Sequence, residues 1–485
     1  MKTIKILGIF TALILLSSCE EYLDINHDPR FPTTATAEVL MPPLFWEMTR
    51  GEVFDSRYFG MYTQNWHRTS PRYWGDLHGY LPGSDAAGEK WRQHYWAIGT
   101  NIDLITDDAE ASKKWWYVGA AKAIRAWSWQ SSTDVYGEMI FKQAWEPGRY
   151  IFDYDNQAEI YDEVVRLCNE SLDYLNKNDE TNTLIIGDLV YGGDADKWKK
   201  FVYATLARNA HHISNKSSYD PNKVIEYVDK SFASNEDNFN VPFAATSSAD
   251  ANFYGSKRGN LGVYRQSEFA ISLVDGTVFS GVVDPRLAEM FQASPDGIFR
   301  GLTAAVGDTS SGDQDIPPFY GKYVYQDDVV HPLITFWELQ FMKAEAALIK
   351  GDKPLALTAY NNGIEAHMDF VGINQVDKDA YMASAAVAQT PDVLALSDIM
   401  LQKYISLHAI GILETWVDLR RYDYDPAVYT GFTLPDPLYG DNGGKPVYRA
   451  RPRYNSEYKW NVDALEKIGG TSVDFHTTKP WYLQP

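Results

Sequence analysis

Three features that are common in other proteins are scarce in this sequence: cysteine, long apolar runs and the motifs of well-known enzyme classes. Only Cys19 and Cys168 occur among 485 residues. The apolar run of residues 6–16 is too short for a membrane-spanning helix, which needs about 20 apolar residues. No H-E-x-x-H, G-x-S-x-G or P-loop motif is present. Nothing in the sequence therefore indicates a zinc protease, an α/β-hydrolase or a P-loop enzyme.

Positive charge is also in short supply. The chain has 44 lysine and arginine residues against 65 aspartate and glutamate residues, a net charge of −21. A body this acidic repels phosphate backbones and anionic lipid headgroups. We therefore expect no nucleic-acid partner, and we expect any attachment to a membrane to come from a covalent lipid.

The amino terminus has the layout of an export signal. Lys2 and Lys5 precede the apolar run, and Leu16-Ser17-Ser18 precede Cys19. This layout predicts a cleaved signal peptide over residues 1–18. The residues before Cys19 resemble the bacterial lipobox, in which the cysteine is acylated; the alternative is an ordinary signal that happens to contain a cysteine. Acylation of Cys19 leaves the other cysteine without an intrachain partner, so no disulfide framework is expected.

Acidic residues follow the acylation site directly. Glu20 and Glu21 come next, with Asp24 close behind, and they resemble the surface-export signal of lipoproteins in the Bacteroidota. Several acyl chains give stable anchoring where a single chain would be marginal. We therefore expect a lipid-anchored protein of the outer membrane that faces the outside of the cell.

Hydrophobic periodicity predicts a fold dominated by α-helices. After the signal peptide, residues 19–43 are rich in proline and threonine and are interpreted as an extended, lipid-anchored leader. Residues 44–485 are predicted to form a single domain. Its helix pairs are predicted near residues 90–133, 156–214, 221–233, 333–370 and 394–421.

Two stretches illustrate this prediction. Asn156 and Glu159 have the spacing of a capping box, and the apolar stripe behind them includes Cys168 as a small buried hydrophobe. Helices over residues 333–350 and 354–370 are separated by a short turn in which Gly351 suits the left-handed position that ends a helix. Such pairs resemble tetratricopeptide units, although the other pairs share no strict period.

Long stretches rich in glycine, proline, asparagine, aspartate and aromatic residues separate the helix pairs. They cover residues 62–88, 235–264, 291–330 and 422–485. Loops of this length in a compact domain are usually functional or disordered, and aromatic content disfavours disorder. We expect ordered loops that lie over a helical scaffold.

Five groups of residues, in this order along the chain, resemble the SusD/RagB family of nutrient-binding outer-membrane lipoproteins. They are 123–127 (AIRAW) with 133–137 (TDVYG), 283–287 (VDPRL) with 296–297, 332–335 with Glu338 and 343–346, 399–421, and 451–454 (RPRY) with Glu457 and Asn461. The resemblance implies a SusD-like fold in which four tetratricopeptide-like helix pairs carry ligand-binding loops. It also implies a role: capture of oligosaccharides, or of peptides in some members, for a TonB-dependent (SusC-like) outer-membrane transporter that the lipoprotein covers as a lid.

Flat aromatic side chains beside forked polar groups suit the C–H faces and hydroxyls of sugars. The loop at residues 65–74, with Tyr80 behind it, offers this combination, and either of two later loops could form a second wall. The candidate ligand-binding residues are Asn65, Trp66, Arg72, Tyr73, Trp74 and Tyr80, with either Asn252, Tyr254 and Arg258 or Tyr320 and Tyr323. The alternative interpretation is that Trp66 and Trp74 only fix the loop to the scaffold.

Some acidic residues could suggest metal or catalytic sites, but structural roles explain them better. Asp308, Asp313 and Asp315 are candidate calcium ligands, but they lack the spacing and the final glutamate of a known calcium loop, so a solvated acidic loop is preferred. The acid pairs at 107–108 and 327–328 could suggest a glycosidase, but such pairs arise by chance among 65 acids. No cofactor and no enzymatic activity are expected.

Charged residues of the late helices are interpreted as structural. They are Glu338, Glu345, Glu414, Arg420 and Arg421.

Three other functions stay open on the sequence: a peptide-binding lipoprotein of the same lid type, a helical glycoside hydrolase and a repeat scaffold that binds only protein.

Overall fold

The computed structural model describes residues 35–70, 74–279 and 281–485. The predictions for the signal peptide, for Cys19 and for Arg72 and Tyr73 lie outside the described residues. The described chain is built mainly from helices, with two short pairs of strands. The helix-dominated fold class predicted from the sequence is confirmed.

The first half of the described chain contains helices α1 to α8. They are α1 (Ala37–Tyr62), α2 (Glu89–Arg92), α3 (Thr100–Ala111), α4 (Trp115–Tyr136), α5 (Gln157–Leu175), α6 (Leu184–Gly187), α7 (Ala195–His212) and α8 (Pro221–Lys230). A π-helical segment, Gln93–Gly99, joins α2 to α3 without a break.

The second half contains helices α9 to α17. They are α9 (Glu268–Ser272), α10 (Arg286–Met290), α11 (Phe336–Lys350), α12 (Lys353–Val371), α13 (Gln375–Met382), α14 (Leu396–Leu407), α15 (Ile412–Arg421), α16 (Tyr454–Trp460) and α17 (Val462–Lys467). Short 3-10 turns occur at Trp74–Leu77, Asn235–Asp237, Gly312–Gln314, Gly440–Asn442, Phe475–Thr477 and Trp481–Leu483.

The long helices pack side by side in chain order. α3 packs on α4, α4 on α5, α5 on α7, α7 on α8, α8 on α11 and α11 on α12. The turn between the last two is as predicted, because Gly351 adopts a φ of 86° and ends α11. α14 then packs on α11, and α15 packs on both α14 and α1, so the late helices contact the first helix of the described chain.

Two antiparallel strand pairs connect the loops. β1 (Trp66–Arg68) pairs with β3 (Tyr264–Gln266). β2 (Asn240–Val241) pairs with β4 (His331–Pro332). The four stretches predicted to be loops are largely irregular, except that residues 422–485 also contain α16 and α17.

Some predicted boundaries are wrong. The extended leader was predicted to reach Pro43, but α1 begins at Ala37 and contains Pro42 and Pro43. Proline in a helix removes a hydrogen bond, and here the buried Met41 and Leu44 on the same helix offset that loss. The helix predicted from residue 333 begins at 336, because residues 331–332 pair as a strand.

The predicted capping box is also wrong. Asn156 does precede α5, but its side chain makes no capping hydrogen bond. The carboxylate of Glu159 binds Lys142 Nζ at 2.6 Å instead. The stripe behind it is correctly predicted, since Cys168 is fully buried, and burial raises the pKa of its thiol.

Buried ion pairs connect the late helices to one another and to α7, which confirms the structural role predicted for Glu338, Glu345 and Arg421. Arg421 binds Glu345 at 2.7 Å and Asp418 at 2.7 Å. Arg208 of α7 binds Glu338 at 2.7 Å. Removing one partner of such a pair leaves a buried charge uncompensated, which is strongly destabilising.

Candidate functional site

Much of the predicted ligand-binding loop lies in the core. Trp66 is fully buried, and its indole N–H donates to the carbonyl of Arg57 at 3.2 Å. Asn65 is buried too; its Oδ1 accepts from the amide of Ala409 at 3.0 Å and its Nδ2 donates to the hydroxyl of Tyr404 at 3.3 Å. These contacts make both side chains part of the scaffold.

The first of the two predicted second walls meets this loop inside the core. The ring of Tyr254 lies 5.8 Å from that of Trp66, edge to face, and Asn252 is buried with its Nδ2 donating to the carbonyl of Val324 at 2.9 Å. Trp74 is buried and its ring lies 5.3 Å from that of Tyr58. A ligand contact by these residues stays a prediction.

The other predicted residues are half-buried. Arg258 donates to the carbonyl of Ala249 at 2.7 Å. Tyr323 lies near His367, with 3.3 Å between its hydroxyl and Nε2 of the histidine. Burial raises the pKa of both tyrosine hydroxyls, Tyr320 and Tyr323. A ligand contact by Arg258, Tyr320 or Tyr323 also stays a prediction.

Tyr80 lies beside a groove of about 200 Å³. Its hydroxyl donates to Oδ2 of Asp441 at 3.3 Å, and the guanidinium of Arg451 lies 3.9 Å from its ring centroid. Trp74 and Tyr454 line the same groove. Of the residues predicted from the early loop, Tyr80 is therefore placed to contact a ligand without a change in the core.

A larger hollow, which we call the aromatic cleft, lies on the other side of α16 and was not predicted from the sequence. Its volume is about 620 Å³. It is lined by Trp91, Arg92, Tyr95, Trp96, Ile140, Ala144, Trp145, Glu146, Arg149, Phe152, Arg453, Ser456 and Glu457. A neighbouring hollow of about 570 Å³ shares Arg149, Phe152, Ser456 and Glu457 with it and adds Tyr150, Ile151, Trp460 and Asn461.

The π-helical segment forms one wall of the aromatic cleft. π-helical turns are rare and occur often at functional sites. Trp96 projects from this segment with 62% of its surface exposed, and the guanidinium of Arg92 lies 4.3 Å from its ring centroid. Tyr95 fixes the segment to the opposite loop, since its hydroxyl donates to the carbonyl of Ile140 at 2.9 Å and accepts from the amide of the same residue at 2.8 Å.

Trp145 lines the aromatic cleft next to the π-helical segment. Its indole N–H donates to the carbonyl of Tyr95 at 2.7 Å, and the guanidinium of Arg125 lies 4.7 Å from its ring. The backbone of Trp145 has a φ of 59°, a left-handed conformation that is uncommon for a tryptophan. The surrounding contacts hold this residue in one orientation.

A tight turn follows and presents a charged pair. Pro147 and Gly148 occupy the central positions, and the φ of Gly148 is 74°, which is the requirement of a type II turn. The turn brings its two end residues together: Nε of Arg149 lies 2.5 Å from Oε2 of Glu146. This bond raises the pKa of Arg149.

The carboxyl-terminal region supplies the last wall. The Asn461 side chain accepts from the amide of Phe152 at 3.1 Å through Oδ1 and donates to Glu457 Oε2 at 3.0 Å through Nδ2. The hydroxyl of Tyr154 donates to the same carboxylate oxygen at 2.8 Å. Trp460 is 76% exposed and Tyr150 is 83% exposed at the rim.

This arrangement combines exposed aromatic faces with N–H donors and carboxylate acceptors around one hollow. Exposed large aromatic residues grouped at a hollow are unusual on a protein surface and mark binding sites. The sequence signal that could have indicated it is the density of aromatic residues at positions 91–96 and 145–152.

Asp308, one of the three candidate calcium ligands, stabilises its own loop. Oδ1 of Asp308 accepts from the amide of Ser310 at 2.9 Å and from its hydroxyl at 2.5 Å. Within the described residues, no group of three or more histidine, cysteine, aspartate or glutamate side chains could hold a metal ion. None of the described helices is both long enough and apolar enough to cross a membrane.

Comparison with solved structures shows the fold. A SusD/RagB family protein from Bacteroides thetaiotaomicron superposes with a TM-score of 0.71 at 22% identity, over 93% of this chain and 99% of the other. A SusD homolog from Bacteroides uniformis gives 0.72 at 17%, over 93% and 99%. A chitin-binding SusD homolog from Flavobacterium johnsoniae gives 0.69 at 19%, over 92% and 96%.

Comparison of the sequence with family models gives the classification. No functionally curated protein matches the sequence. A SusD-like family model described as "Starch-binding associating with outer membrane" matches residues 29–442, which is most of the chain. The chain therefore belongs to the SusD/RagB family of SusD-like proteins.

Proposed function

We propose that this protein is a cell-surface lipoprotein that binds oligosaccharides in the aromatic cleft and delivers them to a TonB-dependent outer-membrane transporter. The observation that carries the proposal is the grouping of Trp96, Trp145 and Phe152 with Arg92 and Arg149 around one open hollow. Sugar rings stack on aromatic faces, and the arginine N–H groups and nearby carboxylates can bind hydroxyls.

The affinity expected for this cleft suits a receptor that must release its ligand. Burying one aromatic face contributes roughly 1.5–3 kcal/mol. Two such faces with one or two hydrogen bonds, less the cost of association, give about −4 to −8 kcal/mol, which corresponds to millimolar to micromolar affinity. A binding protein that passes its ligand on benefits from affinity in this range.

Relatives support carbohydrate as the ligand. The family model is named for starch binding and association with the outer membrane, and two of the similar solved structures are described as chitin-binding. The lipobox resemblance at Cys19 supports anchoring by lipid. The transporter partner rests on the family resemblance.

Peptide binding is the second candidate for the same cleft, because aromatic side chains and arginines also suit peptides. A hydrolase has less support. Asp108 accepts from the amide of Ala37 at 2.9 Å and binds Lys114 at 3.2 Å. Asp327 accepts from the amide of Lys257 at 2.8 Å. Both acid pairs thus contribute a carboxylate to local structure.

A glycan array followed by titration calorimetry tests the binding site. Trp96→Ala should weaken binding of the best oligosaccharide about tenfold or more, because one stacking face is lost. Trp115→Ala is the matched control, since this half-buried tryptophan lies outside the cleft beside Tyr174. Equal affinity of the Trp96 variant and the native protein would place the site elsewhere. Binding of peptides without any glycan would favour the second candidate.

Two further experiments test the rest of the proposal. Affinity purification from outer-membrane extract should recover a β-barrel transporter of the TonB-dependent class, and repeated recovery of none would contradict the lid role. Incubation with polysaccharides should release no new reducing ends; their release would favour the hydrolase.

A further inference from the structure

We propose, on the basis of the proposed function, that the aromatic cleft selects oligosaccharides built from uncharged sugars over acidic or amino sugars. The proposal rests on how the charged side chains of the cleft are paired. If the cleft binds no glycan, the proposed function fails as a whole; if it binds charged glycans best, only this selectivity is wrong.

Every arginine that lines the aromatic cleft already has a carboxylate partner. Nη1 of Arg92 lies 2.9 Å from Glu89. Nε of Arg149 lies 2.5 Å from Glu146. Nη2 of Arg453 lies 2.7 Å from Oδ2 of Asp85.

One lining carboxylate has no cationic partner among the described residues. Glu457 is bound instead by neutral groups, the hydroxyl of Tyr154 at 2.8 Å and Nδ2 of Asn461 at 3.0 Å. The three arginines are therefore matched by three carboxylates, and Glu457 adds a fourth. Glu89 also binds Arg50 at 2.8 Å, and Arg92 lies 3.9 Å from Glu47. With these two residues included, four arginines and five carboxylates sum to −1, and the whole chain is also strongly acidic.

An acidic sugar meets no unpaired cation in this cleft. Its carboxylate or sulfate could reach the terminal nitrogens of Arg149, but Nε of the same guanidinium stays bound to Glu146. The sugar anion would therefore lie beside the carboxylate of Glu146. Like charges brought close together cost free energy, more so at a partly desolvated site.

An amino sugar meets the opposite obstacle. Glu146 is already bound by Arg149. Glu457 is only 5% exposed and is engaged through Oε2, while three arginines line the same hollow. A cation would therefore approach arginines to reach a carboxylate that is largely covered.

Neutral hydroxyls meet neither obstacle. The terminal nitrogens of Arg149 make no hydrogen bond within the described part of the chain, and this guanidinium is partly exposed. These N–H groups can donate to a sugar hydroxyl while Nε stays bound to Glu146. Selectivity for neutral sugars then comes from ion pairs that the cleft has already formed before the ligand binds.

The first test compares charged and uncharged probes of equal length by calorimetry at low salt. The probes are hexamers of N-acetylglucosamine, of glucosamine, of galacturonate, and of α- and β-linked glucose. We expect at least one uncharged hexamer to bind at least tenfold more tightly than both charged ones. Equal or tighter binding of a charged hexamer would overturn the selectivity and leave oligosaccharide binding intact.

The second test creates an unpaired cation. Glu146→Gln releases Arg149, so the ratio of galacturonate-hexamer affinity to uncharged-hexamer affinity should rise about tenfold at low salt and fall again at high salt. Asp296→Asn is the matched control, because it releases Arg300, which binds Asp296 outside the cleft at 2.7 and 2.8 Å; the ratio should not change. An unchanged ratio in Glu146→Gln would overturn the proposal.

Discussion

Gly99 and Trp145 are in direct contact at the base of the aromatic cleft. A Cβ atom added to Gly99 would lie 2.0 Å from Cζ2 of Trp145, well inside van der Waals distance. The glycine has helical backbone angles, so its role here is close approach and not conformational freedom. The end of the π-helical segment therefore depends on a residue without a side chain to accommodate the tryptophan.

Gly99→Ala should destabilise the protein and weaken oligosaccharide binding. Alanine normally stabilises a helix relative to glycine by about 0.5–1 kcal/mol, but the overlap with Trp145 should outweigh this and cost about 1–3 kcal/mol. Urea unfolding and calorimetry check both effects. Gly440→Ala is the control, since no atom lies within 4 Å of the added Cβ. A more stable Gly99 variant with normal affinity would contradict this account of the wall.

Trp66→Ala should lower the free energy of unfolding by about 3–5 kcal/mol, as expected for truncating a fully buried aromatic residue. Trp96→Ala should change it by less than about 1 kcal/mol, because that ring is mostly exposed. Denaturant titration of the two variants measures the difference. A Trp66 variant of native stability that has lost its glycan affinity would restore the early loop as the binding site. Tyr80→Ala tests that loop independently.

His212 should make stability depend on pH. Burial alone would lower its pKa, but the carboxylates of Asp134 and Glu414 raise it to about 9. A pKa raised above the usual value near 6.5 stabilises the folded state fully below pH 6.5, and this contribution is lost as the pH rises through 9. The loss is on the order of 3 kcal/mol.

Unfolding free energies measured between pH 6 and pH 10 check this expectation. His212→Asn should remove most of the decline. His331→Asn is the matched control, because burial lowers the pKa of His331 to about 3 and keeps it neutral throughout. A decline of the same size in the native protein and in the His212 variant would assign the effect to other groups.

Cys19→Ala should release the protein from the outer membrane. Without the thiol no acyl chain can be attached, and a body with this acidic charge has little affinity for anionic lipid. Cell fractionation and mass spectrometry provide the measurement. Cys168→Ala is the control, since that cysteine is buried in the α5 stripe and should not affect anchoring. Retention of the Cys19 variant in the membrane fraction would mean that another element anchors the chain.

The sequence predicts the helical scaffold well because each helix has its own local pattern of apolar residues and end signals. Apolar spacing indicates the stripe of α5, and Gly351 marks the end of α11. Local sequence patterns predict side-chain hydrogen bonds less reliably, because residues that are distant in the sequence can bind the same side chain. Glu159 has the right spacing for a capping box, but the fold brings Lys142 to its carboxylate.

Aromatic density marks two segments of the cleft, but the way they assemble could not be predicted from local patterns. Trp91 and Tyr95 have the spacing of an ordinary buried helical face, and nothing in their neighbourhood indicates that the helix widens into a π-helical segment at Gln93. The contact that closes the last wall joins Phe152 to Asn461 across 309 positions. Conversely, the loop at residues 65–74, which the sequence favours as a sugar site, has its Trp66 buried in the core.

The wall formed by α16 has a consequence for changing the cleft by mutation. The family model ends at residue 442, whereas Arg453, Glu457 and Asn461 lie beyond it. Substitutions in this tail can reshape the cleft and alter its charge without disturbing the helix pairs that define the family. The cleft can therefore be redesigned through a short terminal segment, while the packed helices that precede it are left unchanged.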